Sequence, residues 1–291
     1  MDFGRLITAM VTPFDANGQI DWEATGRLID DLIEVQKNDS LVVSGTTGES
    51  PTLSDEEKTA LFRFAVDRAG GRCKIIAGTG SNNTADSIQL TKEAEACGVD
   101  GILLVAPYYN KPNQEGMYRH FKAIAESTKL PVLLYNVPGR TGINLSAETT
   151  LRLAEIDNIV GTKECAGQDQ LAKIIASAPE SFKVYTGDDS TTLTTLAFGG
   201  YGVISVAAHV IGAKMKQLIE AYTSGDVTLA AKLNLECYPV FKGLFECPHP
   251  VPNPVAVKYA LSLRGLQVGG VRLPLIEATA GEEEFIRSLF Q

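Results

Sequence analysis

The sequence predicts an α/β chain folded as a (β/α)8 barrel with a helical C-terminal extension. Three observations carry the prediction. Eight short apolar runs recur between Leu6 and Val206. They lie roughly 20–35 residues apart, enough for a strand, a loop and a helix. Most are continuous rather than alternating, as parallel strands covered on both faces are. The competing arrangement, an open doubly wound sheet, carries a glycine fingerprint after its first strand. Here the first run passes into Thr12-Pro13-Phe14 instead.

In chain order the predicted strands are residues 6–11, 41–43, 75–77, 101–106, 132–134, 159–160, 184–185 and 203–206. The segments between them read as helices. Asp21 caps one whose apolar face is Trp22, Leu28, Ile29, Leu32 and Ile33. Ser54 and Glu57 form a capping box ahead of Leu61, Phe62 and Ala65. Thr84 opens a stretch through Ile88 and Ala94 that Gly98 closes. Ser146 opens the next, through Leu151 and Ala154, and residues 211–222 give the last barrel helix. From Asp226 the strand signal fades. Residues 229–245 read as a helix that Pro239 should kink or interrupt. A proline-rich patch at 248–254 follows, then short helices at 255–263 and 282–290. The expected division is a catalytic barrel over 1–225 and an extension over 226–291.

Composition narrows the function. A chain of 291 residues suits one large barrel, and 44% hydrophobic with 21% charged residues suits a globular protein. A net charge of -9 argues against nucleic acid and anionic membrane surfaces as partners, while leaving small anionic substrates open. No run is long enough to span a membrane, and the first residues lack the pattern of a secretory signal, so the expected location is cytoplasmic. The five cysteines are scattered without a CxxC pair, suggesting neither a disulfide framework nor a zinc site. His120, His209 and His249 lack ligand spacing, so neither histidine catalysis nor a metal site is expected.

The stretch from Pro131 to Lys163 organises the chemistry. One predicted strand ends in Tyr135, a Pro/Gly turn carries Arg140, and the next strand ends in Lys163. A lysine just past an apolar pair should point into a core or pocket. Burial favours its neutral amine, which can attack a carbonyl and form a Schiff base. In such barrels the site lies where strands end. Ser44-Gly45-Thr46-Thr47-Gly48-Glu49-Ser50 follows the second run and suits either a carboxylate or an ordinary polar turn. Gly78-Thr79-Gly80-Ser81-Asn82 reads as a polar loop. Pro107-Tyr108-Tyr109-Asn110-Lys111-Pro112 sets two phenols on a loop, for a site, an oligomer contact or packing. Arg140 can grip a carboxylate or lie on the surface. Asp188 and Asp189 follow Gly187 and either hold a metal or, more simply, cap the next helix. Ile204 and Ser205 line the floor. The set suits Schiff-base chemistry on a carboxylated substrate.

These motifs resemble the dihydrodipicolinate synthase family, within the class I pyruvate aldolases that include N-acetylneuraminate lyase. The resemblance rests on Gly45–Glu49, Pro107–Pro112, Tyr135-Asn136-Val137-Pro138-Gly139-Arg140-Thr141-Gly142 and Gly161-Thr162-Lys163-Glu164, and extends to Asn253–Lys258 and Leu273-Pro274-Leu275. It implies that pyruvate forms an imine with Lys163 and that the derived enamine attacks L-aspartate 4-semialdehyde, with no metal or organic cofactor. Tyr135 would move protons, linked through Thr46 to Tyr109 of a neighbouring subunit in a homodimer or homotetramer. Thr47 would hold the pyruvate carboxylate, Arg140 the semialdehyde carboxylate, and Gly187 and Ile204 would line the pyruvate pocket. Ser50, Asn82, Asp86 and Tyr108 match the family's L-lysine site. Asp55 and Lys58 depart from the histidine or glutamate often found in lysine-sensitive members, which predicts weak or absent inhibition. Cys165, two residues past Lys163, reads as core filler open to oxidation. Two alternatives remain at this stage: an aldolase for a sugar acid, against which Arg140 argues, and a barrel that binds a keto acid without turnover.

Overall fold

The computed structural model describes residues 2–248 and 251–291. Eight parallel strands close into a barrel in sequence order, with β1 paired to both β2 and β8. They are β1 (Leu6–Ala9), β2 (Ser40–Val43), β3 (Lys74–Gly78), β4 (Gly101–Val105), β5 (Val132–Asn136), β6 (Ile159–Glu164), β7 (Lys183–Thr186) and β8 (Gly202–Ser205). All eight coincide with the apolar runs. The helices packed around them are α1 (Trp22–Glu34), α2 (Asp55–Ala69), α3 (Thr84–Ala96), α4 (Gln114–Ala125), the single turn α5 (Pro138–Thr141), α6 (Ala147–Leu153), α7 (Gln168–Ser177), α8 (Thr192–Ala197) and α9 (Ala208–Thr223). The extension supplies α10 (Val227–Gly243), α11 (Val255–Leu263) and α12 (Ala280–Ser288).

The caps follow from side-chain chemistry. Asp21 accepts from Ala24 N at 2.9 Å, and Ser54 and Glu57 close their reciprocal box. Such a cap contributes about 1 kcal/mol. Ser146 caps α6 as expected. α3 opens at Thr84 as expected, and Asn83 before it is the cap, accepting from Ala85 N at 3.0 Å. Two expectations need correction. Trp22 is 39% exposed and rests its ring on Phe64, while Ala24 and Thr25 are the buried residues of the first turn. Pro239 lies within α10, which runs through it from Val227 to Gly243. Buried Val240 and Phe241, the two residues after it, hold that helix against the core, and tertiary packing outweighs the lost hydrogen bond. Part of the proline-rich patch, His249 and Pro250, lies outside the described residues.

The two faces of the strands build two cores. Ile7, Val42, Ile76, Leu103, Leu133, Tyr135, Tyr185 and Ile204 fill the barrel interior. The alternate residues, such as Leu6, Leu41, Ile75, Leu104 and Leu134, pack against the helices. One irregularity matters. Val132 pairs with Ile159 but Leu133 pairs with Gly161, so β6 skips Val160. Ile159 faces the helices and Val160 lies against the interior. Strict alternation from there would send Lys163 outward. The skipped residue resets the period and points Lys163 inward, as bulges beside active sites do.

Candidate active site

Lys163, the penultimate residue of β6, lies directly across from Tyr135 on β5. Its Nζ lies 4.5 Å from the centroid of the Tyr135 ring. Both are buried, at 5% and 6% exposure. Burial drives the amine of Lys163 toward its neutral form, and the nearby Arg140 cation adds to that, while Cys165 and Asp189 oppose it. Burial also raises the Tyr135 pKa, against the smaller effects of Thr46 and Arg140, so the phenol keeps its proton at neutral pH. A neutral nucleophile beside a protonated phenol is the pairing that carbonyl addition needs.

Gly187 makes room for the lysine. A Cβ there would lie 2.6 Å from Lys163 Cε and would also strike Cys165 Sγ. Ile204, wholly buried on β8, closes the floor. The Cys165 thiol is pushed up to about 12 by burial, so it is inert as a nucleophile at neutral pH.

Tyr135 lines a 390 Å³ cavity whose walls also include Gly45, Thr46, Ser50, Lys58, Tyr108, Val137 and Arg140, whereas Lys163, Gly187 and Ile204 are not among its lining residues. The turn α5 presents Arg140 at the rim. Pro138 starts it, and Gly142 ends it at a φ of 73°, where a side chain would be strained. Four of the five non-glycine residues with positive φ among the described residues, Ser44, Glu49, Tyr109 and Lys111, lie in two loops of this mouth. Backbone strain concentrated there is characteristic of functional loops.

The structure thus sets Tyr135, Thr46 and Arg140 on one cavity, with Lys163 beside Tyr135, Gly187 against Lys163, and Ile204 in the barrel interior with Tyr135. Others stand apart from this set. Thr47 is 2% exposed, does not line the cavity, and accepts from Asn253 Nδ2 at 2.9 Å. Tyr109 is 89% exposed and turned away from the cavity of its own chain. Of the four residues matched to an L-lysine site, Ser50 and Tyr108 line the cavity, whereas Asn82 and the exposed Asp86 stand outside it.

The aspartates after β7 divide their work. Asp188 caps the turn that follows, accepting from Ser190 N at 3.0 Å. Asp189 instead folds beneath the mouth and accepts from Val206 N and Ala207 N at 3.1 and 2.8 Å, tying the end of β8. No cluster able to hold a metal ion exists among the described residues. The two described histidines serve the scaffold. His209 Nε2 accepts from Val11 N at 3.1 Å and its Nδ1 lies 2.8 Å from Val206 O. Burial lowers the pKa of both His120 and His209 to about 4. His249 lies outside the described residues. Glu49 was seen only as part of a motif, yet it forms a buried ion pair with Lys258 at 2.8 Å. No local signal foretells a partner so distant in sequence.

Known proteins place this arrangement. The 4-hydroxy-tetrahydrodipicolinate synthase of Bacillus velezensis is 57% identical over 290 residues, covering 99% of both chains. The crystal structure of dihydrodipicolinate synthase from Bacillus anthracis superposes with a TM-score of 0.96 at 51% identity, covering 100% of this chain and 98% of that one. The chloride-inhibited enzyme from Acinetobacter baumannii, complexed with pyruvate, superposes with a TM-score of 0.94 at 42% identity, covering 99% and 98%. The profile of the dihydrodipicolinate synthetase family matches residues 2–291, and the chain belongs to that family.

Proposed function

We propose that the protein condenses pyruvate with L-aspartate 4-semialdehyde to form 4-hydroxy-tetrahydrodipicolinate, on the route to diaminopimelate and lysine. One observation carries the reading: a buried lysine amine rests on a buried phenol, and that phenol lines a cavity together with an arginine. The neutral Lys163 amine adds to the pyruvate carbonyl, and loss of water leaves the imine. Loss of a methyl proton gives the enamine, whose carbon attacks the aldehyde of the second substrate. The amine of that substrate then adds to the imine carbon, closes the ring and expels Lys163. Tyr135, with Thr46 beside it, relays the protons of addition and dehydration. Arg140 grips the semialdehyde carboxylate through its paired N–H groups. Backbone of the Gly45–Gly48 loop receives the pyruvate carboxylate, with Thr47 acting from below as a support. No step needs a metal or an organic cofactor.

Tyr109 completes the relay in a neighbouring copy. Its near-complete exposure and left-handed backbone, φ of 70°, fit a side chain held outward for a partner. The active unit on this reading is at least a homodimer, within a dimer or tetramer. The substrates are small soluble anions, and no described helix is long and apolar enough to cross a membrane. A cytoplasmic location goes with that chemistry.

Borohydride reduction in the presence of pyruvate, followed by peptide mass mapping, tests the reading. A pyruvate-derived adduct on Lys163 is expected, together with turnover of the semialdehyde and none of N-acetylneuraminate or 2-keto-3-deoxygluconate. Absence of the adduct in folded protein removes the imine. Faster cleavage of a sugar acid replaces the second substrate.

A further inference from the structure

The residues that follow Tyr135 and Lys163 face the other way. Tyr135–Lys163 and Asn136–Glu164 are successive cross-strand pairs of β5 and β6. Alternation sends the second pair out of the barrel, toward the helices. There Asn136 is wholly buried and Glu164 is 1% exposed. The Glu164 carboxylate accepts from Asn136 Nδ2 at 2.9 and 3.2 Å, from Ala166 N at 2.6 Å and from Gln170 Nε2 at 3.0 Å. Burial raises its pKa, and these donors hold it down. Asn136 does more. Its Oδ1 accepts from Leu145 N at 3.0 Å, and its Nδ2 donates to Asn144 Oδ1 at 2.7 Å. Gln170 also donates to Leu145 O at 2.8 Å. Asn144 and Leu145 form the return of the turn that carries Arg140.

One carboxylate therefore fastens three things: the strand bearing the phenol, the strand bearing the amine, and the root of the arginine turn. None of its contacts reaches the cavity, so it touches no reactant. Removing one member of such a network strands buried donors, which forces its neighbours to move.

We propose that Glu164 is a positioning residue, whose carboxylate locks the Tyr135–Lys163 pair and the base of the Arg140 turn into one unit and so fixes the separation between the imine site and the carboxylate-gripping site. The inference rests on the imine reading above. It matters because the carbon–carbon bond forms between a substrate tethered to Lys163 and one held by Arg140, and a misplacement of about 1 Å costs on the order of 100-fold in rate.

Glu164→Gln keeps the shape but turns one acceptor into a donor facing other donors. Kinetics are normalised to the Lys163 sites that borohydride traps with pyruvate, which removes any loss from incomplete folding. The expected result is a fall in kcat per trapped site of about tenfold or more, with a severalfold rise in the KM for semialdehyde. Gln170→Leu removes the donor that serves both Leu145 O and Glu164 Oε2, loosening the turn, and keeps the Asn136–Glu164 contact. It is expected to raise the semialdehyde KM while kcat per site stays within about twofold. Wild-type constants per trapped site in Glu164→Gln overturn the proposal, whatever the change in melting temperature. If that variant does not fold, an unchanged semialdehyde KM in Gln170→Leu overturns it. Wild-type protein that traps no pyruvate overturns this proposal and the imine reading together, whereas trapping with unaltered variants overturns this one alone.

Discussion

At the scale of single residues, the chemistry depends on which protonation state burial selects. Lys163 must be neutral to attack, and its pKa lies below the ordinary 10.5 because burial penalises the ammonium. The sign follows directly. Above the folded-state pKa the amine is free and imine formation is at its plateau; below it, protonation removes the nucleophile. The rate of pyruvate-dependent trapping by cyanoborohydride should therefore rise with pH and level off before 10.5. A rate still climbing through that value would show that the amine titrates as if in water. Lys58 decides a second matter. It lines the same cavity as Ser50 and Tyr108, and Asp55 lies 3.0 Å from its Nζ. That pairing neutralises Lys58 only in part, because Asp55 is 63% exposed and solvent screens it. A cationic amino acid entering between Ser50 and Tyr108 meets a like charge. Feedback by L-lysine is expected to be weak, and Lys58→Ala should strengthen it. An inhibition constant in the sub-millimolar range for the wild type would contradict this.

At the scale of the strand, the decisive feature is the residue β6 skips. The apolar runs made all eight strands legible, since a barrel strand buried on both faces has little choice of composition. The lysine was legible because a cation at the end of an apolar run is anomalous. Its inward aim was expected from that position, but the cause was not legible, because period-two alternation through Ile159 and Val160 points Lys163 the wrong way. Only the pairing of Leu133 with Gly161 corrects the phase. The bond that holds Thr47 was not legible for a related reason: its partner Asn253 is 206 residues away, and no local pattern records it. Asp189 looked like a cap, and it does serve backbone N–H groups, but those of β8 rather than of its own turn. Gly187 on the neighbouring strand end gives a direct test. Gly187→Ala places a methyl 2.6 Å from Lys163 Cε and against Cys165 Sγ. Such overpacking costs about 1–3 kcal/mol of stability. The displaced amine should lower kcat by at least about tenfold. Steady-state kinetics with a thermal melt would separate the two effects, and wild-type kcat would mean that Lys163 has room to spare.

At the scale of the molecule, the C-terminal extension is a brace for the catalytic mouth rather than an appended module. Lys258 on α11 and Glu49 in the loop after β2 pair at 2.8 Å, with side chains 3% and 1% exposed. Lys258 Nζ also donates to Gly270 O at 2.6 Å and sits 4.3 Å from the centroid of the Phe14 ring. Glu49 Oε2 accepts from Arg272 N at 3.0 Å, and the Arg272 guanidinium reaches Glu57 and the Thr52 carbonyl. With the Thr47–Asn253 bond, these contacts hold the loop that presents Thr46 from outside the barrel. The left-handed conformation of Glu49, φ of 56°, persists because this clasp over-determines it. A buried pair adds little net stability over an apolar replacement, but breaking it by removing one charge is costly. Lys258→Met should therefore destabilise the protein by about 3–5 kcal/mol, because the Glu49 carboxylate is left charged in the interior without its cation, with Arg272 N as its remaining donor. Pairing it with Glu49→Leu should recover much of that loss, since no charge then remains to be stranded. Urea unfolding of the two variants measures both terms. If Lys258→Met unfolds within about 1 kcal/mol of the wild type, Glu49 has found water or another donor, and the extension holds the mouth through packing alone.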